Sequence, residues 1–173
     1  CNDRLFKYKK NILNRKFDFI YVGKFIKRKN LNTLISAFTK IKKKYKNSNL
    51  ILVGGNKLKT KNGISVVPFT DSKKIAELMN NSKCLILPSF EEHWGVVVHE
   101  ASCCGCLLIL SDKVGCKKEF LKNNGYLFKP NNIDELYINM EKILNLNSKI
   151  LIDKSFSSLQ LSKQRSILNW KKQ

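Results

Sequence analysis

Two carboxylates, Glu92 and Glu100, stand with seven residues between them in PSFEEHWGVVVHEASCCGC, a stretch that also holds both histidines, His93 and His99. Acids are scarce elsewhere, because the chain has 33 basic residues against 13 acidic ones, a formal net charge of +20. Gly95 lies between the two glutamates and lets the backbone come close to a ligand. The amides of Trp94, Gly95 and Val96 open a helix whose positive dipole end suits an anion. Acids beside a bound anion weaken its binding unless they accept hydrogen bonds from something else, and sugar hydroxyls are the donors that fit. A charge at a helix start accounts for Glu92 without any ligand, but not for Glu100, which falls a turn further in. His93, next to Glu92, is the histidine placed to touch such a sugar.

A second loop carries the complementary charge. In GKFIKRKN, Gly23 closes an apolar run and Lys24, Lys27, Arg28 and Lys29 crowd the turn that follows. Lysine is a compact point charge for phosphate oxygens. Taken alone, the loop also fits a solvated turn in a lysine-rich protein.

Both loops need a scaffold, and the chain supplies an alternation of strands and helices. FDFIYV at 17–22 is short, aromatic and β-branched, hence a strand ended by Gly23. Leu31, Leu34, Ile35, Phe38 and Ile41 then recur at helical spacing, with Asn30 placed to cap the start. LILVGG at 50–55 and ISVVPF at 64–69 read as strands, and Ile75, Ala76, Leu78 and Met79 mark a helix capped by Asp71 or Ser72. CLILP and CLLILS are continuously apolar, as strands buried on both faces of a parallel sheet are. Between them, 96–103 reads as a helix stopped by Gly105. A short helix at 117–121, a strand at 126–128 and a helix at 134–146 follow. The expectation is one α/β domain with a doubly wound, Rossmann-like parallel sheet. Residues 1–16 read as a polar linker or arm, 17–146 as the domain, and 147–173 as an amphipathic basic tail marked by Leu159, Ser162, Ile167 and Trp170.

Length and composition agree with this. The 173 residues, 43% of them hydrophobic, suffice for one cored domain, and no apolar run approaches the roughly 18 residues that span a bilayer. Six cysteines, with Cys103 beside Cys104 and no charged-then-apolar leader, fit reduced thiols in a cytosol better than a disulfide framework. Because the chain starts at Cys1 rather than Met, it reads as an excerpt or a processed product. CCGC contains a Cys-x-x-Cys close to His93, His99 and Cys116, but it spans a helix end and the start of a buried strand, where small residues serve packing. No metal is therefore expected. No Gly-x-Gly-x-x-Gly follows any strand, which argues against a dinucleotide cofactor.

Taken together, YVGKFIKRKNLNTLISAF, LILVGG, PSFEEHWGVVVHEASCCGCLLILSDKVGC and NNGYLFKPNNIDEL resemble the donor-binding C-terminal half of glycosyltransferase family 4, which has the two-domain GT-B fold. The resemblance runs in order over about 17–146. It implies that Gly23, Lys24, Lys29 and Asn30 stand on the family's Gly-Arg-x4-Lys-Gly loop, which holds the diphosphate of a nucleotide sugar. Lys24 replaces Arg, keeping the charge and losing the bidentate fork, and Asn30 replaces Gly. Glu92 would lie against the donor sugar and Glu100 would accept from the ribose hydroxyls. The backbone at Trp94, Gly95 and Val96 would meet the distal phosphate and the sugar, and the strand end from Val67 to Phe69 would bound the nucleobase pocket.

The implied reaction is metal-independent retaining transfer without a cofactor, with Lys24, Lys29 and Glu92 as its catalytic groups and a glycan or lipid-linked acceptor. The implied setting is polysaccharide or lipopolysaccharide synthesis, and the acceptor-binding half would precede Cys1. The charge also allows an anionic membrane surface as a partner. It gives little support to nucleic acid, since no helix-turn-helix, finger or RNP-like motif is present. A nucleotide-sugar epimerase of similar architecture and a basic binding module for nucleic acid or membrane remain the alternatives.

Overall fold

The computed structural model describes residues 2, 4–55 and 62–165. Six strands make the sheet: β1 (Phe17–Val22), β2 (Leu50–Val53), β3 (Ile64–Val67), β4 (Ser82–Leu87), β5 (Leu107–Ser111) and β6 (Gly125–Phe128). Every pairing is parallel, and the order is β3-β2-β1-β4-β5-β6. Chain order reverses between β1 and β4, so the loops leaving those two strands diverge and open a crevice at their carboxyl ends. The Gly23 loop leaves β1 and the Glu92 loop leaves β4.

The helices are α1 (Leu31–Lys44), α2 (Ser72–Asn80), α3 (Val96–Cys103), α4 (Lys117–Phe120), α5 (Ile133–Leu144) and α6 (Ser148–Gln164). Helices α3, α4 and α5 match the expected 96–103, 117–121 and 134–146 to within two residues, and α1 and α2 carry the apolar positions marked for them. The strand runs at 50–55 and 64–69 end earlier than their apolar character suggests, because the chain turns away after Val53 and Val67. Asp71, not Ser72, caps α2, its carboxylate accepting from the Lys74 amide at 2.8 Å.

Phe19, Ile20, Tyr21, Leu50–Val53, Cys84–Leu87 and Leu107–Leu110 are buried, as strands covered by helices on both faces must be. Residues 1–16 do not read as core from their pattern, yet Phe6, Ile12 and Arg15 are buried. Arg15 explains why the arm lies down. Its guanidinium donates to the carbonyls of Ser82 at 2.8 Å, Cys104 at 2.6 Å and Lys10 at 3.0 Å, joining the arm to β4 and to the end of α3. The tail forms α6, which packs on α3 and buries Leu151, Ser155, Ser158, Leu161 and Ser162, while Ile167 and Trp170 lie outside the described residues. The buried stripe is serine-rich because it meets backbone carbonyls between the end of α3 and the start of β5: Ser155 Oγ donates to Gly105 O and Ser158 Oγ to Cys106 O, both at 2.7 Å.

Candidate functional site

The switch point brings the two charged loops into contact. The Lys29 ammonium and the Glu92 carboxylate form an ion pair, with only 13% and 15% of the two side chains exposed. The backbones behind them are tied as well, since the Phe90 amide donates to the Arg28 carbonyl at 2.9 Å. Lys29 ends a 3₁₀ turn, Lys27–Lys29, that the sequence reading leaves as irregular loop.

Asn30 follows that turn in a left-handed conformation, φ 53° and ψ 40°. Asn30 is the N-cap residue of α1, as its placement in the sequence suggests, but its side chain makes no capping bond. The side-chain amide instead donates to Pro88 O at 3.0 Å and Pro130 O at 2.8 Å, and its oxygen accepts from Thr33 Oγ1. A left-handed residue is most easily glycine, and asparagine is the side-chain-bearing type that best tolerates it. The Asn30 substitution therefore keeps the turn and adds a clamp across three loops.

On the other rim, Gly95 enters α3 at φ 90°, a conformation that favours glycine. The first described bond of that turn runs from the Val98 amide to the Gly95 carbonyl at 2.8 Å, which leaves the amides before it without an intrahelical acceptor. Glu92 itself is held from both sides: its amide donates to Lys113 O at 3.2 Å and its carbonyl accepts from Gly115 N at 2.8 Å. The Trp94 carbonyl accepts from Cys116 N at 3.1 Å. Gly115 is required there, since a Cβ would sit 1.8 Å from the His93 carbonyl oxygen. This segment after β5, in SDKVGC, is part of the site's frame that residue-by-residue reading of the sequence does not single out.

The remaining candidates fall in different places. Lys24 is exposed, and its carbonyl accepts from the hydroxyl of buried Tyr21 at 3.0 Å. Burial, with Glu92 adding to it, pushes that phenol's pKa up, so Tyr21 is a neutral donor pinning the turn that carries Lys24. Glu100 is half-buried on α3, and burial raises its carboxyl above the ordinary carboxylate range. Val96 and Trp94 are exposed beside Gly95. His93 points away from the cluster, 83% exposed and 3.2 Å from Glu91. Phe69 stands beyond β3, 79% exposed and two strands out from β1, so it is not brought to the Lys29–Glu92 pair. A cavity of about 460 Å3 flanks the Lys27–Lys29 turn, walled by Phe25, Ile26, Leu31, Ile35 and Phe90.

The cysteines among the described residues are buried. Burial pushes the Cys104 and Cys106 thiols up and the Cys116 thiol up to about 12, which favours the protonated form rather than the thiolate that a metal or a redox partner uses. His99 is buried with its ring 4.9 Å from that of Phe120. Among the described residues no His, Cys, Asp and Glu cluster has the arrangement to hold a metal ion, and no helix is long and apolar enough to cross a membrane.

Known proteins share this fold. The C-terminal domain of a glycosyl transferase group 1 family protein (LpcC) from Francisella tularensis superposes with a TM-score of 0.82 at 16% identity, covering 96% of this chain and 99% of that one. Sucrose-phosphate synthase from Thermosynechococcus elongatus gives 0.80 at 20% identity over 99% of this chain and 48% of its own. A curated relative from Bacillus subtilis (strain 168), described as the uncharacterized glycosyltransferase YqgM, is 28% identical over 114 residues, 60% of this chain and 32% of its own length. This chain thus spans about a third of that relative and about half of the synthase. The family described as glycosyl transferases group 1 matches residues 3–154, from the arm that Arg15 locks down to the start of α6. With that match over a sheet whose switch point joins the two charged loops, the chain belongs to the glycosyl transferases group 1 family, with the fold of the C-terminal half of a GT-B glycosyltransferase.

Proposed function

We propose that this chain is the donor-binding half of a family 4 glycosyltransferase that takes a sugar from a nucleoside diphosphate, with retention, and passes it to a glycan or lipid-linked acceptor. The observation that carries this reading is the meeting of Lys29 and Glu92 across the β1–β4 crevice. A cation for pyrophosphate and a carboxylate for sugar hydroxyls are there within one side chain's reach. Lys24, on the same loop, and the open amides at Gly95 add positive potential where a leaving diphosphate gathers charge. These groups would supply the stabilisation that a divalent cation supplies in other enzymes.

Departure of the diphosphate toward Lys24, Lys29 and the α3 amino end leaves positive character on the sugar carbon. An acceptor oxygen entering on the same face, its proton passing to a phosphate oxygen as the old bond breaks, gives retention without a protein nucleophile. Glu92 then orients the sugar through its hydroxyls, and Glu100 would accept from the ribose. The acceptor half lies within the share of the relatives' length that this chain does not span, and surface-polysaccharide assembly at the cytoplasmic face of a membrane is the setting in which the basic charge is useful.

Titration calorimetry with UDP, GDP and ADP tests the reading. Binding of one diphosphate, reduced about tenfold or more by Lys29→Ala, is the expected result. No binding of any of the three by the wild-type chain would remove the proposal.

A further inference from the structure

The ion pair between Lys29 and Glu92 places the two groups in each other's way. Each is wanted by a different part of a nucleotide sugar, yet the two are paired with and neutralise each other. Nor is the contact a loose surface encounter. Both side chains are largely withdrawn from water, Glu92 is bonded through backbone on either side of its Cα, and the Lys29 amide donates to Ile26 O at 2.9 Å within the 3₁₀ turn. A pair that is both shielded and held by fixed backbones is worth more than an exposed one.

We propose that the Lys29–Glu92 pair is a latch that disfavours the bare nucleoside diphosphate and so promotes its release after transfer. The inference rests on the nucleotide-sugar reading above and adds to it a role for the pair once the sugar has been transferred. A pyrophosphate that takes Lys29 leaves the Glu92 carboxylate partly buried, next to an anion and without its cation. With an intact donor, the sugar hydroxyls meet that carboxylate and the exchange of partners is balanced. Once the sugar has moved to the acceptor, no hydroxyl remains for Glu92, which recaptures Lys29 and weakens the grip on the diphosphate. The latch uses no covalent step; it trades one charge-assisted contact for another.

Calorimetry with UDP and GDP on the full chain decides the matter, using wild type, Glu92→Gln, Glu92→Ala and Glu91→Gln. Removing the Glu92 charge by either substitution should tighten the diphosphate that binds by about tenfold, the factor expected for one charge-assisted contact no longer broken on binding. Glu91 carries the same charge one residue away but faces His93 rather than Lys29, so Glu91→Gln should change the affinity less than about twofold. Unchanged or weaker diphosphate binding in both Glu92 variants, with the wild type still binding, overturns the latch and leaves the nucleotide-sugar reading intact. Equal tightening by Glu91→Gln would assign the effect to the general field and also overturn it. Failure of every variant and of wild type to bind either diphosphate or ADP takes down both.

Discussion

The side-chain amide of Asn30 donates to the carbonyl of Pro130 at 2.8 Å, joining residues 100 positions apart and holding the β1–α1 turn against the segment that leads into α5. The same amide reaches Pro88 at the end of β4, so one side chain sets the spacing of both charged loops.

Replacing it separates conformation from bonding. Asn30→Gly keeps the left-handed turn and loses the clamp, and should cost about 1–3 kcal/mol for two buried carbonyls left without a donor. Asn30→Ala loses the clamp and is strained at φ 53° as well, so it should be destabilised by about 1 kcal/mol more. Urea unfolding of the two variants beside wild type measures both terms.

Gly115→Ala tests the frame behind Glu92. The added methyl meets the His93 carbonyl at 1.8 Å, so the Glu92 loop must shift away from the segment after β5. A loss of about 1–3 kcal/mol in urea unfolding is expected from the overpacking, together with weaker nucleoside diphosphate binding by calorimetry. A shift in the amide resonances of Glu92 to Gly95 would accompany it.

Glu100 sets stability against binding. Burial raises its pKa in the folded domain, so the folded state holds the proton more tightly than the unfolded one. Stability therefore falls as pH rises from the unfolded value of about 4.3 through the raised folded value, and stays lower at neutral pH. Glu100→Gln removes that term. Its Tm at pH 7 should rise, and the gain should vanish below about pH 4. If Glu100 accepts from the ribose as proposed, nucleotide affinity should drop in the same variant.

Arg15→Met probes the arm. The guanidinium is buried and serves carbonyls from β4, the end of α3 and the arm itself, so its loss should cost about 3 kcal/mol. Arg4, which is exposed, serves as the control, and Arg4→Met should stay within about 0.5 kcal/mol of wild type. Urea unfolding of both chains checks the contrast.

The sequence by itself determined the parallel sheet, the helices between its strands, and the two loops rich in charge. Those features are local: apolar runs such as Leu107–Leu110 have no polar face to offer water, and the spacing of Leu34, Phe38 and Ile41 leaves a helix only one way to bury them. Tertiary structure alone decided that Lys29 meets Glu92, that His93 turns outward and Phe69 stays apart, and that the side chain of the N-cap residue Asn30 clamps two distant loops instead of bonding the helix start. It also drew Arg15 inward from a segment whose polar pattern promised an arm. The reason is the same in each case. A long polar side chain takes its place from carbonyls and charges that distant strands deliver, and no spacing along the chain records which of them will be within reach.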